Sequence, residues 1–461
     1  MPQPRRQSLR DLIAQRGISA RRFIADVHTS LPLATLDAVG RLRGGAAPMQ
    51  GRSVLIRTRR QLPAALAAIA LDGVARRILL CPPDVTDGQL QPIMQYGEVD
   101  AVVTESDICT DEAEACAGRM QGIEHLGMPE TALDTEWVLF TSGTSGIPKL
   151  VVHSLTSLTT PLGDGLGDDR DVWATFYDIR RYGGLQILLR ALIGRGSMIL
   201  SHGDEPVASF LSRLGTAGVT HVSGTPSHWR RALMSGAVGR IRPVYVRLSG
   251  EMVDQGILDR LHQTYPNAMI AHAFASSEAG VAFAVSDRLA GFPASILCAP
   301  PPAAQIRIEQ GTLRIRSGCT ATRYLGMPDR AIADGSGFVD TGDIVELSGG
   351  RYHFVGRREG VLNIGGLKVH PEEVEAVINQ HSNVLMSCVY GCPNPITGVL
   401  VTADVVLHRL LGEKSHDFAI TKSEIISACR DALVPYKVPV RVNVVSDISV
   451  LPSGKVARRH A

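Results

Sequence analysis

From Ser53 onward the chain alternates short apolar runs with stretches of helical length and periodicity. SVLIR reads as a strand, LPAALAAIALDGV as a helix, RRILLCPP as a strand, DGQLQPIMQYG as a helix and DAVVTE as a strand. WVLF and LVVHS are two more strands on either side of a polar loop. The pattern then resumes with GGLQILLRALIGRG (helix), SMILS (strand), PVASFLSRLGTAGV (helix) and THVSG (strand). PSHWRRALMSG, PVYVRLSG, DQGILDRLHQTYP and NAMIAHAFA continue it as helix, strand, helix and strand. Strands alternating with helices predict parallel sheets covered on both faces.

After about Phe292 the texture changes. PASILCAPPPAAQIRIEQGTLRIRSG and GRYHFVG read as short strands punctuated by Gly and Pro, more like a small barrel than a wound sheet. A second pattern begins near Gly360, with VHPEEVEAVINQH as a helix, VLMSCVYG as a strand, TKSEIISACRDAL as a helix and VRVNVVSDI closing it. The expected fold is therefore α/β. A large N-terminal domain of wound α/β sheets with a small β-barrel-like part would occupy residues 1–358, and a small α+β domain residues 359–461.

Composition narrows the function only broadly. A chain of 461 residues exceeds what one core organises. Hydrophobic content of 44% with a net charge of +2 fits a soluble globular protein, gives no reason to expect nucleic acid as a partner, and leaves the oligomeric state open. No segment is long and apolar enough to span a membrane. The arginine-rich start, MPQPRRQSLRDLIAQRGISARRFIADV, lacks the continuous apolar core of a secretory signal and predicts a short amphipathic helix. Cys81, Cys109, Cys116, Cys298, Cys319, Cys388, Cys392 and Cys429 form no CxxC pair. Cys388 and Cys392 are spaced closely enough to serve as ligands, but free buried thiols in a reducing, cytoplasmic setting are expected.

Candidate chemistry starts with FTSGTSGIPKLVVHS, Phe140 to Ser154. Glycines let a backbone approach an anion, while hydroxyls, main-chain amides and the Lys149 ammonium donate to it, a combination suited to phosphate. The nucleotide loop G-x-x-x-x-G-K-[ST] does not fit, because Gly143 and Gly146 are three apart and Pro148 precedes Lys149. A plain surface loop between two strands would also contain such residues, so support must come from elsewhere. AHAFASSEAG places Glu278 just past a strand, and VDTGDIVE offers Asp343 in a tight Thr-Gly-Asp turn. GRREGVLNIGGLKVHPEEVE joins the two domains, and LPSGKVARR puts Lys455 on a glycine turn near the C-terminus. Each alone is compatible with a helix cap or an ordinary turn.

In this order and spacing the five stretches resemble the adenylate-forming superfamily of acyl- and aryl-CoA synthetases, peptide-synthetase adenylation domains and firefly luciferase. The likeness runs from about Ser53 to Arg459. It implies coupling of a carboxylate with ATP to give an acyl-adenylate and pyrophosphate, then transfer of the acyl group to a thiol. The resemblance makes Thr141, Ser142, Gly143, Thr144, Ser145, Gly146 and Lys149 the cradle of the β- and γ-phosphates. Glu278 would hold Mg²⁺, with Thr144 contributing. Phe274 stands where the family stacks a Tyr on adenine, His272 where Asn is common, and Ser277 where Thr is usual. Asp343 would accept the ribose hydroxyls, and Arg357 would reach ribose or phosphate. Lys455 would bridge the carboxylate and the α-phosphate on a mobile small domain that swings between half-reactions about Glu359. The face Gly365, Gly366 and Lys368 would then line the thiol's tunnel.

The sequence also departs from that family. Asn363 replaces a frequent Lys, the segment before Ser53 is short, and FYDIRRYGGLQ puts Arg181 where the acyl pocket often has His or an aromatic residue. Arg181 either turns outward to pair with Asp178 or faces the pocket and favours a polar acid. Tyr177, Arg181, Gly184, Trp229, Ser249, Gly250 and Glu251 are the pocket candidates. The resemblance implies an AMP-forming ligase acting on a small carboxylic acid with ATP, Mg²⁺ and CoA. The alternative acceptor is the phosphopantetheine of an acyl carrier protein. A non-catalytic nucleotide-binding relative is a third reading, opposed by the intact set Lys149, Glu278, Asp343 and Lys455.

Overall fold

The computed structural model describes residues 7–15, 19–35, 41–110, 132–141, 146–163, 167–299, 304–394, 398–408 and 415–458. The chain divides into two compact units. The first comprises Met1–Ser223, Ala275–Val281 and Arg316–Val339, and the second Gly224–Phe274, Ala282–Ile315 and Asp340–Ala461.

In the first unit a six-stranded sheet runs in the order Arg323–Leu325, Lys149–His153, Glu136–Thr141, Arg77–Leu80, Ser53–Arg57 and Ala101–Thr104. The last four are parallel, and Lys149–His153 turns back antiparallel on Glu136–Thr141. Val54, Leu55, Ile56, Ile78 and Leu79 are buried, as the unbroken apolar runs require of strands covered on both faces. Every residue of the helix Gln61–Leu71 is buried, so its lack of an apolar stripe follows from being surrounded. The helix Asp87–Tyr96 starts with a reciprocal capping box between Thr86 and Gln89. The strands His221–Gly224, Val172–Thr175, Ser197–Ile199 and Phe23–Ala25 are parallel neighbours in that order, and Ser30–Pro32 folds back on the last. The expected N-terminal helix is Leu9–Gln15, with Leu9 and Ile13 buried. It is tied down by buried Asp72, which accepts from Leu9 N at 2.6 Å and from Trp137 Nε1 at 2.8 Å.

The second unit holds the parallel pair Tyr245–Ser249 and Met269–Ser276 with the helices Pro226–Met234 and Gln255–Thr264. A five-stranded sheet follows in the order Phe292–Pro293, Arg351–Arg357, Val339–Ser348, Thr312–Arg316 and Gln305–Glu309. The tail of the chain adds the hairpin Leu362–Ile364/Leu367–Val369 and a sheet of Val384–Asn394, Gly398–Leu407 and Arg441–Val444. Helices Pro371–Ile378 and Ser415–Ala432 close over a core that includes Val374, Ile378, Val389, Val405, Ile425 and Cys429. The mixed α/β architecture with a small α+β C-terminal part agrees with the expectation from sequence.

Three local expectations change. Asp343 lies on a continuous strand, Val339–Ser348, rather than in a tight turn; Gly342 at φ +71° and a register shift at Ile344/Val345 supply only a kink. Ala294–Cys298 is a 3₁₀ helix that begins directly after Pro293, the last residue paired with Arg351. Cys392 is exposed, whereas Cys388 is buried as expected. Among the described residues no helix is long and apolar enough to cross a membrane.

Candidate active site

In the first unit, the antiparallel register sets Thr141 opposite Lys149, so the two ends of the Thr/Ser/Gly loop meet. Ser142, Gly143, Thr144 and Ser145 lie outside the described residues. Thr141 Oγ1 is buried without a hydrogen-bond partner among the described residues, which suits a hydroxyl that donates to a bound anion. Gly146 takes the left-handed φ of +80° that glycine tolerates, and its carbonyl accepts from the Gln89 amide. Lys149 is half-buried at the start of the returning strand.

Four residues on, His153 ties that strand to the segment carrying Glu278. Its Nε2 lies 2.7 Å from the Ser277 carbonyl and its Nδ1 3.0 Å from Ser157 Oγ. Burial pushes the His153 pKa down to about 4, so the ring is neutral and Nε2–H donates to Ser277. Glu278 Oε1 accepts from the Tyr324 hydroxyl at 3.2 Å, and its carbonyl accepts from Ala321 N at 2.9 Å. Burial, then the neighbouring Glu278 carboxylate, push the Tyr324 pKa upward, which keeps the phenol a donor. Among the described residues no group of three or more His, Cys, Asp and Glu could hold a metal ion. A single hard carboxylate still suits Mg²⁺, which takes most of its remaining ligands from phosphate and water.

In the second unit, Asp343 stands across the ladder from Arg357, whose Nε lies 3.4 Å from Oδ1. Arg357 Nη2 also donates to the Thr341 carbonyl at 3.0 Å. Burial raises the Asp343 pKa, opposed by Arg357, by Thr341 and by the positive field of Lys455.

Lys455 sits on a tight hairpin. Gly454 N donates to the Leu451 carbonyl at 2.8 Å, Leu451 N to the Lys455 carbonyl at 2.7 Å, and Ala457 N to the Ser449 carbonyl at 2.9 Å. Gly454 has φ +80° and lies against the His228 ring, with which a Cβ would collide. Thr225 Oγ1 donates to the Gly454 carbonyl at 2.5 Å, and Glu251 Oε1 accepts from Val456 N at 2.9 Å. Arg231 Nη2 reaches the Ile448 carbonyl and Asp447 Oδ2, both at 3.2 Å.

The remaining candidates are placed as follows. His272 lies with Nε2 3.0 Å from the Leu289 carbonyl, and burial lowers its pKa. Phe274 stacks on Phe354 at 5.5 Å and on Phe283 at 5.8 Å. Ser277 lends its carbonyl to His153, while Glu359 is exposed in the short 3₁₀ turn Arg358–Gly360. Gly365 and Gly366 form the tip of the small hairpin at φ +56° and +93°, with Lys368 exposed beside them. Tyr177, Gly184 and Ser249 are buried, and Gly250 takes φ +89°. Trp229 is a core residue whose indole donates to the Arg247 carbonyl at 3.3 Å. Glu251 spends both oxygens on backbone amides, those of Val456 and Ser227.

The pairing of Arg181 with Asp178 is corrected. Arg180, fully buried, takes Asp178 with Nε at 2.8 Å and Nη2 at 2.5 Å. Arg181 instead places Nη2 2.6 Å from each oxygen of Asp84. His153, Tyr324 and Thr225 were not singled out by sequence reasoning. The signal for Thr225 was present, since a Thr directly before a Pro is the usual opening of a helix.

Residues 45–316 match the family model described as AMP-binding enzyme, and residues 373–455 match that of the AMP-binding enzyme C-terminal domain. The mitochondrial acyl-coenzyme A synthetase ACSM5 of Homo sapiens is 28% identical over 369 residues, 74% of this chain and 62% of that protein. The match thus spans less than two thirds of that relative's length. The 2-succinylbenzoate–CoA ligase of Bacillus mycoides (strain KBAB4) is 27% identical over 410 residues, 79% of each chain. The crystal structure of the anthranilate CoA ligase AuaEII in complex with anthranoyl-AMP has the same fold, with a TM-score of 0.79 at 16% identity over 98% of this chain and 96% of that one. With the first family model alone taking in more than half of its length, the chain belongs to the AMP-binding enzyme family.

Proposed function

We propose that this protein is an AMP-forming acid–thiol ligase that activates a small carboxylic acid with ATP and passes the acyl group to CoA. In the first half-reaction a carboxylate oxygen attacks the α-phosphorus, the bond to the bridging oxygen breaks, and pyrophosphate leaves. In the second, the thiol sulfur attacks the acyl carbon, its proton is lost to solvent, and AMP leaves. Two anions meet in the first step, so fixed cations must offset the charge moving onto pyrophosphate.

Thr141, Gly146 and Lys149 would hold the terminal phosphates, together with Ser142, Gly143, Thr144 and Ser145. Glu278, with Thr144, would hold Mg²⁺, which when bound neutralises phosphate charge. Asp343 and Arg357 would bind the ribose, and Phe274 the adenine. Lys455 would draw the carboxylate and the α-phosphate together. Glu359 would be the hinge about which residues 359–461 move before thiol attack along Gly365, Gly366 and Lys368. The observation that carries this reading is the buried Thr141 hydroxyl, without a hydrogen-bond partner among the described residues and set opposite Lys149 across the ladder, an arrangement suited to a phosphate.

The test is pyrophosphate release against aryl, short-chain, long-chain and dicarboxylic acids, with Lys455→Ala as control. The control should lose about a hundredfold or more in adenylation, the size of one preorganised charge contact, and keep transfer from a supplied acyl-adenylate. Turnover with free CoA alone distinguishes CoA from a carrier protein as acceptor. Absence of acid-dependent pyrophosphate release from every acid would overturn the enzyme reading.

A further inference from the structure

We propose that Thr225 and Glu251 are positioning residues for Lys455 that clamp its backbone on both sides and thereby act in adenylation but not in thiol transfer. The proposal rests on the catalytic role assigned to Lys455 above.

Both peptide planes that flank the Lys455 Cα are held by hydrogen bonds. The plane before it presents the Gly454 carbonyl, which accepts from Thr225 Oγ1 at 2.5 Å. The plane after it presents the Val456 N–H, which donates to Glu251 Oε1 at 2.9 Å, and the Lys455 carbonyl, which accepts from Leu451 N at 2.7 Å. With both planes held, φ and ψ of Lys455 are fixed, and so is the direction in which its side chain leaves the backbone. A long flexible amine needs this most, because only its χ angles are left to order.

The clamp residues are themselves held. Thr225 caps the helix Pro226–Met234, its Oγ1 accepting from His228 N at 3.0 Å while its proton goes to Gly454. Glu251 Oε2 accepts from Ser227 N at 2.9 Å, in the first turn of that helix, where the helix dipole favours a carboxylate. One helix end thus anchors both jaws. Neither residue needs to touch substrate, and both contacts are made to a segment that must leave if the small domain turns for the second half-reaction. The signature is therefore a split between half-reactions.

The experiment measures acid-dependent ATP–pyrophosphate exchange and, separately, CoA acylation from supplied acyl-adenylate. The variants are Thr225→Val, Thr225→Ser and Glu251→Gln, with Lys455→Ala beside them. Val removes the hydroxyl, Ser retains it, and Gln can accept only one of the two amide protons that Glu251 receives. Thr225→Val and Glu251→Gln should each lose about tenfold to a hundredfold in exchange, the effect of misplacing a reacting group by roughly an ångström. They should keep transfer within about twofold, and Thr225→Ser should retain exchange, as expected where the hydroxyl and not the methyl makes the contact. Unaltered exchange in Thr225→Val and Glu251→Gln overturns the clamp. So does an equal fall in both half-reactions with a lowered melting temperature, which would give the two residues a role in folding alone. If Lys455→Ala keeps full exchange, the role of Lys455 fails first, and that result is distinct from loss in Lys455→Ala with normal clamp variants.

Discussion

Arg458 closes a two-pronged ion pair on Glu375, Nη1 to Oε1 at 2.7 Å and Nη2 to Oε2 at 2.8 Å, three residues beyond Lys455. Glu375 is buried and also accepts from Val389 N at 2.7 Å, while Arg458 Nη2 lies 3.2 Å from Glu372. The lysine hairpin is thus pinned to its own sheet and helix by one arginine, whatever it docks against. Removing one partner of a buried pair leaves the other charge uncompensated, which typically costs about 3–5 kcal/mol. Arg458→Leu should lower the urea midpoint of unfolding accordingly. An unchanged midpoint would mean that the pair contributes nothing to holding the C-terminal segment.

Gly454 gives a second prediction. A Cβ there meets the ring of His228, and its φ of +80° is unfavourable for any other L-residue. Gly454→Ala should therefore impair docking of the lysine hairpin and lower ATP–pyrophosphate exchange. His228→Ala removes the obstructing ring, so the double variant should recover part of the loss, the remainder being backbone strain. Coupling of this kind is read from a double-mutant cycle, and strictly additive losses would contradict it.

The buried His153 predicts a pH dependence of stability. Its native pKa is pushed down to about 4 by burial, whereas an unfolded histidine takes up a proton near about 6.5. As pH falls below about 6.5 the unfolded state gains a proton that the native state refuses, so stability falls towards pH 4. Asp72, pushed up to about 6 by burial, acts with the opposite sign, because the native state then holds a proton that the unfolded chain has lost. Comparison with His153→Gln isolates the histidine, since glutamine can still donate to Ser277. Between pH 7 and 5.5 the wild type should lose about 1 kcal/mol more than the variant. Equal changes in urea-derived stability would show that His153 titrates normally in the native protein.

The sequence disclosed what periodicity and composition control. Parallel strands such as Ser53–Arg57 are unbroken apolar runs, and the helix Asp87–Tyr96 carries its own capping box. Short strands whose pairing depends on distant chain, such as Val172–Thr175 and Arg323–Leu325, carry no such local signal. The same division holds at the site. Lys149, Glu278, Asp343 and Lys455 stand out because each carries its charge close to glycine and hydroxyl residues in the sequence. His153, Thr225 and Glu251 reach backbone groups far off in the chain, and Tyr324 reaches the distant Glu278 carboxylate; no local pattern encodes such partners. Arg180 and Arg181 are chemically identical, and only packing decides that Arg180 rather than Arg181 takes Asp178.

Arg181 supplies the last prediction. Its Nη2 lies 2.6 Å from both oxygens of Asp84, and the two side chains are 18% and 35% exposed. Asp84 already offsets the guanidinium charge, so an incoming acid would meet a neutral pair rather than a free cation. Because Asp84 remains accessible to water when its partner is removed, the pair behaves as a surface ion pair worth up to about 1 kcal/mol. Arg181→Leu should therefore change stability by no more than that and leave the order of acids by kcat/KM as it is in the wild type. A site built around a polar partner behaves otherwise, because a ligand lacking that partner leaves a buried charge unmatched. Were the variant to shift preference from polar or dicarboxylic acids towards apolar ones, Arg181 would have to exchange Asp84 for the substrate. Asp84→Ala should then strengthen the preference for a second carboxylate, by freeing the guanidinium to make that contact.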